Sequence, residues 1–240
     1  MRIAVVGIGM GPQHVTPEAA DVLRASDYVI AAEKGSDDPL LEVRREVAAT
    51  HGLPVVPVPD PERDRAPADY PGEVRSWHAA RAEAWSRVIG RRGGDPAFLV
   101  WGDPSLYDST IRVVDDIAAR LGAQIVVVAG ISAPSLLAAR FGIVLHEVGR
   151  PVHVTTARRL AEAVARGQRN IVVMLTARLD LTGLDAWTIW WGANLGTSSE
   201  VLVHGQVADV LADVEAARAR VKTCAGWVMD VYLLRAPGSA

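Results

Sequence analysis

Asp103 and several hydroxyl side chains lie where a buried strand gives way to a helix. The apolar run Ala97–Trp101 has the length of one buried strand, and a Gly-Asp-Pro sequence ends it. Apolar residues then recur at helical spacing, with Ser109 or Thr110 as the expected cap. In open α/β sheets ligands bind at this carboxyl edge, which makes the region a candidate site. Its acid and hydroxyls are Asp103, Ser105, Tyr107 and Ser109. The alternative is an ordinary turn in which Asp103 accepts hydrogen bonds from turn amides.

A second glycine-rich stretch follows the first apolar run of the chain. Gly7, Gly9 and Gly11 alternate after Arg2–Val6, a pattern that suggests a nucleotide cradle. The dinucleotide fingerprint needs glycine where Pro12 stands, and proline has no N–H to offer a phosphate. The Gly-Lys-Ser/Thr element of a P-loop is absent as well. The pattern therefore argues against classical NAD or ATP binding, and leaves a close approach of backbone to a ligand or to a neighbouring loop.

Metal and nucleophile motifs are missing from the sequence. No two of the six histidines have the i, i+4 spacing of a helical zinc site, so no metal is expected. No G-x-S-x-G elbow occurs. Cys224 is the single cysteine, and with Ala225 and Gly226 beside it we interpret it as a small packing residue.

Arginine pairs and tryptophans leave two interpretations open. The pairs Arg63–Arg65 and Arg158–Arg159 suit a solvated surface, although a substrate with many carboxylates would favour them at a cleft mouth. Four of the seven tryptophans lie in the second half of the chain, where core packing is the default and a flat aromatic ligand is the alternative.

The elements that must position these residues alternate between strand and helix up to about residue 140. This alternation predicts an α/β fold with a parallel N-terminal sheet. The expected strands are Arg2–Val6, Tyr28–Ala32, Val55–Val58, Ala97–Trp101 and Gln124–Val128. Helices are expected from Thr16, over Leu40–Ala49, over Glu73–Arg92 and after Ser132, with a loop over Asp60–Gly72.

The regular alternation of strands and helices ends in the second half of the chain, which predicts a mixed α/β domain there. The link between Thr188–Trp191 and Val201–Val203 is too short for a crossover helix, so these two strands should be antiparallel. Other expected elements are strands Val152–Thr156, Ile171–Leu175 and Trp227–Leu234, and helices Leu160–Ala165 and Val207–Val221. We therefore expect two domains, residues 1–130 and 131–240.

Composition bounds the class of protein. Half of the residues are apolar but only 5% are aromatic, so small aliphatic side chains build the core, as expected for helices that cover a parallel sheet. The net charge of −3 offers no strong field for nucleic acid or an anionic membrane. A single cysteine fits a reducing cytoplasm.

Taken in order, these motifs resemble the tetrapyrrole methylase family over essentially the whole chain. The resemblance is carried by Gly7–Gly11, Val15–Ala19, then Leu23, Ala25 and Asp27, then Trp101–Pro104 and Ala129–Ala133. It implies two α/β domains with the active site in the cleft between them. It further implies S-adenosylmethionine as methyl donor, no metal, and a homodimer. Two rival functions remain: a methylase of this fold with a different substrate, and a non-catalytic module that binds S-adenosylmethionine or a nucleotide.

Four stretches narrow the resemblance to family members that methylate precorrin-5 at ring carbon C-1 and release its acetyl group as acetate. They are Asp60–Arg65, Val100–Thr110, Trp191–Thr197 and Gly226–Asp230. The donor contacts that the resemblance implies are Met10, Trp101, Gly102, Asp103, Leu106, Ser132, Ala133, Leu175 and Gly196.

The resemblance also suggests roles for polar side chains around the donor and the corrinoid. Asp103 could offset the positive charge of the donor or hold its ribose or amino group. A group that activates the deacetylating water is expected among His14, Tyr107 and Asp108. His14 suits the role best, because a histidine ionises near neutral pH.

Overall fold

The chain folds into two compact units, Met1–Ser132 and Ala133–Ala240. The computed structural model describes residues 1–33, 39–62, 64 and 69–238. Arg63 and Arg65, which were considered as substrate-facing cations, lie outside the described residues. Each unit contains its own five-stranded sheet.

The N-terminal unit is built on a parallel sheet, as the alternation of strands and helices predicted. Its strands in chain order are β1 (Arg2–Gly7), β2 (Tyr28–Glu33), β3 (Val55–Pro59), β4 (Pro96–Val100) and β5 (Gln124–Val128). In space the order is β3-β2-β4-β1-β5, and each neighbouring pair is parallel. The glycine-rich stretch after β1 and the Gly-Asp-Pro turn after β4 therefore emerge from adjacent strands at one edge.

Helices cover both faces of this sheet, which explains its uninterrupted apolar strands. On one face of the sheet, Ile3 and Val5 of β1 pack against the third and fourth helices of the unit. On the other face, Ala4 and Val6 pack against the first and second helices. These helices are α1 (Pro17–Arg24), α2 (Pro39–Thr50), α3 (Tyr70–Arg92) and α4 (Thr110–Leu121).

Local hydrogen bonds set where these helices begin. The Thr16 side chain accepts from Ala19 N at the start of α1, as expected. The helix α3 begins at Tyr70, inside the segment that was expected to be a loop, because Asp69 caps it by accepting from Gly72 N. At α4 the cap position falls on Ser109, but its side chain makes no cap bond; Asp108 Oδ1 instead accepts from Thr110 N at 2.6 Å.

The C-terminal unit is built on a mixed sheet, again as predicted. Its elements are α5 (Ala133–Phe141), β6 (His153–Thr156), α6 (Leu160–Ala165), β7 (Asn170–Met174), β8 (Thr188–Ala193), β9 (Val201–Gln206), α7 (Val207–Ala225) and β10 (Asp230–Arg235). The spatial order is β6-β7-β10-β8-β9, in which only β6 and β7 are parallel neighbours. The expected antiparallel pairing of β8 with β9 is confirmed.

Two expectations for this unit were wrong. The last strand begins at Asp230 rather than at Trp227, because Gly226 ends α7 in a left-handed conformation and the next residues form a connecting segment. Cys224 is exposed near the end of α7 and is not a packing residue. Over the described ranges of both units, no helix combines the length and apolar character that crossing a membrane requires.

Candidate active site

Three loops of the N-terminal unit follow three adjacent strands, β4, β1 and β5. They are the glycine loop (residues 8–11), the Gly-Asp-Pro turn (residues 101–106) and the β5 loop (residues 129–132). Because the strands are parallel, all three loops leave the sheet at its carboxyl edge, where open α/β sheets bind ligands. Most of the residues expected to contact the donor lie in these loops.

The end of β1 and the β5 loop touch each other through their backbones. A Cβ built on Gly7 would lie 2.5 Å from Gly130 N, and one built on Gly130 would lie 2.2 Å from Gly102 O and 2.8 Å from Gly7 C. Real side chains do not tolerate such distances, so only glycine fits at both positions. Of the two alternatives that the glycines left open, a neighbouring loop therefore accounts for Gly7.

The glycine loop is also bonded to the Gly-Asp-Pro turn. Gly9 N donates to Gly102 O at 3.2 Å and Gly102 N donates to Gly9 O at 2.7 Å, an isolated antiparallel bridge beyond the end of the parallel sheet. Ile8 N continues the pairing by donating to Val100 O at 2.9 Å. The two stretches of sequence that suggested chemistry are therefore parts of a single structure.

Gly102 borders open space within this structure. Its φ of +78° suits glycine, and the one heavy atom near a Cβ built there is Met10 Sδ at 3.9 Å, an ordinary contact distance. This differs from Gly7 and Gly130, whose Cβ positions are filled by neighbouring backbone. The residues fit a small-molecule ligand here, since the space beside the Gly102 Cβ position holds no protein backbone and has an apolar thioether at its side.

Asp103 fastens the Gly-Asp-Pro turn to the β5 loop. Its Oδ1 accepts from both the backbone N (2.8 Å) and the hydroxyl of Ser105, and its Oδ2 accepts from Gly130 N at 2.9 Å. Burial raises the pKa of Asp103, but these hydrogen bonds outweigh it, and the pKa lies below its ordinary value. The carboxylate is thus ionised at neutral pH and already accepts three hydrogen bonds, which favours a structural role for it.

His14 braces the glycine loop from the short 3-10 turn Pro12–His14. Met10 N donates to His14 Nδ1 at 3.3 Å, so the neutral ring that makes this bond carries its proton on Nε2. To act as a base, His14 would have to take a proton on Nδ1 and break the Met10 bond, or first change tautomer. This contact favours a positioning role for His14 over general-base catalysis.

Tyr107 lies at the outer end of the Gly-Asp-Pro turn. Its side chain is 45% exposed and its backbone has φ of +50°, a conformation that side-chain-bearing residues seldom adopt. Leu106 and Trp101 are half-buried in the same turn, and Ser132 is half-buried in the β5 loop. Backbone conformations of this kind cluster at functional sites.

Leu175 has the same two properties in the C-terminal unit. It follows β7 directly, has φ of +57° and is 56% exposed, which is unusual for a leucine. Because β10 pairs with β7 and β8 in antiparallel fashion, the carboxyl ends of β7 and β8 and the start of β10 share one edge of the sheet. Leu175 and Gly196 therefore lie at the same edge of this unit.

Asn194 shapes the turn that carries Gly196. Fully buried and with φ of +47°, it accepts from Met229 N through Oδ1 at 2.8 Å and donates through Nδ2 to Ser199 Oγ at 3.0 Å. Gly196 N donates to Glu200 Oε2 at 2.6 Å, so a ligand contact at Gly196 falls to its carbonyl or its surface rather than to its N–H. The Trp191–Thr197 and Gly226–Asp230 stretches are thus joined through side-chain-to-backbone bonds.

Two buried ion pairs were not identified from the sequence. Arg81 of α3 forms a two-pronged bond with Asp60, with distances of 2.7 and 2.6 Å, and both side chains are 8% exposed. In the C-terminal unit, Asp230 accepts from Arg218 Nε at 3.0 Å and from Trp191 Nε1 at 3.1 Å. The partners of each pair are far apart in sequence, so no local pattern predicts the pairing. The one sequence feature that could have drawn attention to the acids is that each lies in a stretch that carried the family resemblance.

Tyr232 lies deep in the C-terminal sheet, next to this second pair. Burial and the Asp230 carboxylate raise the pKa of Tyr232 well above its ordinary value, so the phenol is neutral at physiological pH. Asp230 therefore has Arg218 as its counter-ion and a neutral phenol beside it.

Comparison with known proteins places these features in a family. The sequence profile of the "Tetrapyrrole (Corrin/Porphyrin) Methylases" matches residues 2–211. The chain is 37% identical over 247 aligned positions to "Precorrin-6A synthase [deacetylating]" from Sinorhizobium sp, covering 98% of this chain and 95% of that one.

Solved structures agree with this assignment. A protein described as "putative cobalamin synthesis related protein (CobF) from Corynebacterium diphtheriae" is 39% identical, with a TM-score of 0.83 and 98% of both chains covered. A cobalt precorrin-4 methyltransferase matches with a TM-score of 0.66 at 16% identity, covering 98% of this chain and 94% of that one, a likeness that shows the fold alone. From its sequence profile, its full-length relative and its fold, this chain belongs to the tetrapyrrole (corrin/porphyrin) methylase family.

Proposed function

We propose that the chain is an S-adenosylmethionine-dependent C-methyltransferase that converts precorrin-5 to precorrin-6A, adding a methyl group at ring carbon C-1 and releasing acetate. The observation that carries this proposal is the 37% identity to the Sinorhizobium precorrin-6A synthase over 98% of the chain. Conserved fold alone would support only a methylase of this family, because the same fold hosts several substrates.

The donor site that we propose is centred on Gly102. S-adenosylmethionine supplies a methyl group that its sulfonium already activates, so the protein has to align the methyl with C-1 and exclude bulk water. Open space beside Gly102 and the Met10 thioether support this location. The proposed contacts are those that the family resemblance implies: Met10, Trp101, Gly102, Asp103, Leu106, Ser132, Ala133, Leu175 and Gly196.

Asp103 contributes to this site in two ways in the proposal. It fixes the turn through Ser105 and Gly130, and its carboxylate places a negative charge near the sulfonium. The low pKa of Asp103 keeps that charge in place at neutral pH.

Loss of the acetyl group needs a separate event at the same carbon. Water attacks the acetyl carbonyl, the bond to C-1 breaks, and its electron pair passes into the conjugated macrocycle. The protons of the attacking water pass to the macrocycle and to bulk water, and acetate leaves. We propose that the hydroxyl of Tyr107, a residue that is 45% exposed at the end of the Gly-Asp-Pro turn, donates a hydrogen bond to the acetyl oxygen during this attack. His14 Nδ1 and the Asp108 carboxylate each accept a backbone hydrogen bond, which favours positioning roles for these two residues. Removing one hydrogen-bond donor of this kind costs about 10²–10³-fold in rate.

The Tyr107 role is tested by following the two events with separate labels. In Tyr107→Phe, we expect release of labelled acetate to slow at least tenfold while transfer of the labelled methyl stays within threefold of wild type. In His14→Ala, both labels should slow together because the glycine loop loosens. Quenched-flow measurements report both rates, and Asp108→Asn serves as the neighbouring control. Parallel slowing of both labels in Tyr107→Phe would refute the assignment.

The overall reaction is tested by incubating the full chain with precorrin-5 and S-adenosylmethionine. We expect a corrinoid product that has gained one methyl group and lost one acetyl group, with one acetate released per turnover, measured by mass spectrometry and an acetate assay. Turnover of another precorrin but not of precorrin-5 would assign a different methylase. Donor binding without any turnover would identify a non-catalytic module.

Location and assembly complete the proposal. We infer a cytoplasmic homodimer. The resemblance to the family supports the dimer, and the use of a single cysteine supports a reducing compartment. Light scattering of the purified chain measures the mass of the assembly.

A further inference from the structure

Leu175 adopts a costly conformation that its own packing does not explain. A non-glycine residue in the left-handed region is strained, and Leu175 has φ of +57°. A buried leucine could offset that strain by packing, but Leu175 is 56% exposed. Something outside the residue must therefore hold its backbone in place.

The backbone on both sides of Leu175 is fixed. On its amino side, Met174 pairs with Val231 in the β7–β10 ladder. On its carboxyl side, Arg218 Nη2 donates to Thr176 O at 2.6 Å and to Ala177 O at 3.3 Å. Leu175 is the one residue between these two anchors, so its conformation follows from them.

Arg218 is itself held by a buried acid. Its Nε donates at 3.0 Å to Asp230 Oδ2, and the Asp230 side chain is 1% exposed. Trp191 Nε1 reaches the same oxygen at 3.1 Å. A guanidinium bonded in this way has a fixed plane, which sets where its second nitrogen can point.

We propose that Arg218 is a positioning residue for the donor site: through Thr176 and Ala177 it holds Leu175 in the conformation that contacts the adenosylmethionine. This inference rests on the proposed function, which places Leu175 among the donor contacts. Arg218 acts through the backbone of the 176–177 turn, and Asp230 acts by orienting Arg218.

Arg235 offers a matched control in the same unit. It ends β10, the strand that Asp230 begins, so it lies at the opposite edge of the same sheet. It is similarly buried, at 14% exposed against 21% for Arg218, and pairs with Glu147 at 3.1 Å while also donating to the Val144 carbonyl. It therefore holds a loop as Arg218 does, but away from the edge that carries Leu175.

The test measures binding of S-adenosylhomocysteine to the full chain by titration calorimetry, with thermal melting as a second readout. We expect Arg218→Met and Arg235→Met both to lower the melting temperature, because each removes a charge partner and carbonyl ligand. Only Arg218→Met should weaken binding, by at least tenfold, with Arg235→Met within twofold of wild type. In steady-state assays Arg218→Met should raise KM for the donor more than it lowers kcat.

A milder variant covers the case in which Arg218→Met does not fold. Arg218→Lys keeps the charge beside Asp230, but a single ammonium group cannot bond to the acid and to both carbonyls as the planar guanidinium does. We therefore expect a loss of at least threefold in affinity for S-adenosylhomocysteine. Wild-type affinity in a folded Arg218 variant would overturn the inference. Failure of the proposed function would show differently, as wild-type protein that does not turn over precorrin-5.

Discussion

The glycines at the carboxyl edge of the N-terminal sheet differ in what surrounds their Cβ positions. Gly7 and Gly130 fill the space between loops with backbone, whereas Gly102 leaves space open. Sequence alone treats the three as equivalent members of family motifs. The difference between them becomes visible only when the neighbours of each Cβ position are known, and it determines which glycine a ligand can approach.

Gly102→Ala tests the open side of the turn. The new Cβ would enter the space beside Met10 Sδ, so we expect affinity for S-adenosylhomocysteine to fall at least tenfold, about 1.4 kcal/mol. Calorimetry on the folded variant measures this loss.

Gly122→Ala is the control for the backbone strain that the Gly102 variant adds. Gly122 ends α4 with φ of +64° and has no heavy atom near its Cβ position. Both substitutions should cost about 1–2 kcal/mol in stability, because both place a Cβ in the left-handed region. Equal donor affinity in the two variants would remove Gly102 from the site.

Asp103 predicts a specific pH dependence of stability. Its pKa is lowered in the folded chain, so its contribution is present above the unfolded pKa of about 3.9 and is lost as pH falls through the folded value. Asp103→Asn removes the ionisation, and the new NH₂ group would face a backbone donor. We therefore expect the free energy of unfolding of the variant to lie below that of wild type at pH 6, with the gap narrowing towards pH 3.

Urea titrations at a series of pH values measure this gap. Ser105→Ala deletes the hydroxyl that donates to Asp103 Oδ1, and should reduce the pH-dependent difference part of the way. Curves for wild type and Asp103→Asn that stay parallel down to pH 3 would contradict the role given to these hydrogen bonds.

At the scale of elements, the glycine loop, the Gly-Asp-Pro turn and the β5 loop form one bonded cluster that no single stretch of sequence encodes. The strands and helices follow from apolar periodicity, and most were expected within a few residues of their observed ends. A neighbouring loop was one of two alternatives for the first glycines, but which residues meet could not be predicted. Gly7, Gly102 and Gly130 are far apart in the chain and meet only through the strand order. In the same way, the pairing of Arg81 with Asp60 depends on tertiary packing.

Two glycine-to-alanine substitutions, with opposite expected effects on stability, test the packing among the three loops. Gly130→Ala would place a Cβ 2.2 Å from Gly102 O, so we expect a loss of about 1–3 kcal/mol in stability and weaker donor binding. Gly90→Ala lies inside α3, where the nearest atom would be Leu121 Cδ2 at 3.7 Å. Alanine favours helix, so this variant should gain up to about 1 kcal/mol.

Chemical denaturation and calorimetry separate the two glycine variants. The Gly90 variant should bind S-adenosylhomocysteine as wild type does, which excludes a general effect of adding a methyl group. Stability of the Gly130 variant at or above that of wild type would show that the loops can move apart without cost.

At the scale of the whole molecule, the sequence was sufficient for the fold class and the family, and insufficient for the roles of individual polar groups. The alternation of elements predicted a parallel and a mixed sheet, and both are present. Residue type and spacing made His14, Asp103 and Asp108 candidates for chemistry, with a turn-stabilising role as the alternative for Asp103. The structure adds that each of the three accepts a backbone hydrogen bond. A side chain's bonding partners depend on distances of a few tenths of an ångström, which residue type and spacing do not report.

The position of β1 in its sheet has a consequence for biosynthesis. Of the five strands of this sheet, β1 is synthesised first, and it lies between β4 and β5. Both of its edges therefore stay unpaired until residues 96–100 and then 124–128 have been made. At ordinary elongation rates that interval is on the order of ten seconds, during which an almost wholly apolar strand depends on chaperones or transient collapse. Nascent chains that stall before β5 should therefore aggregate, and pelleting of ribosome-bound chains of graded length would show the transition to soluble material once β5 has emerged.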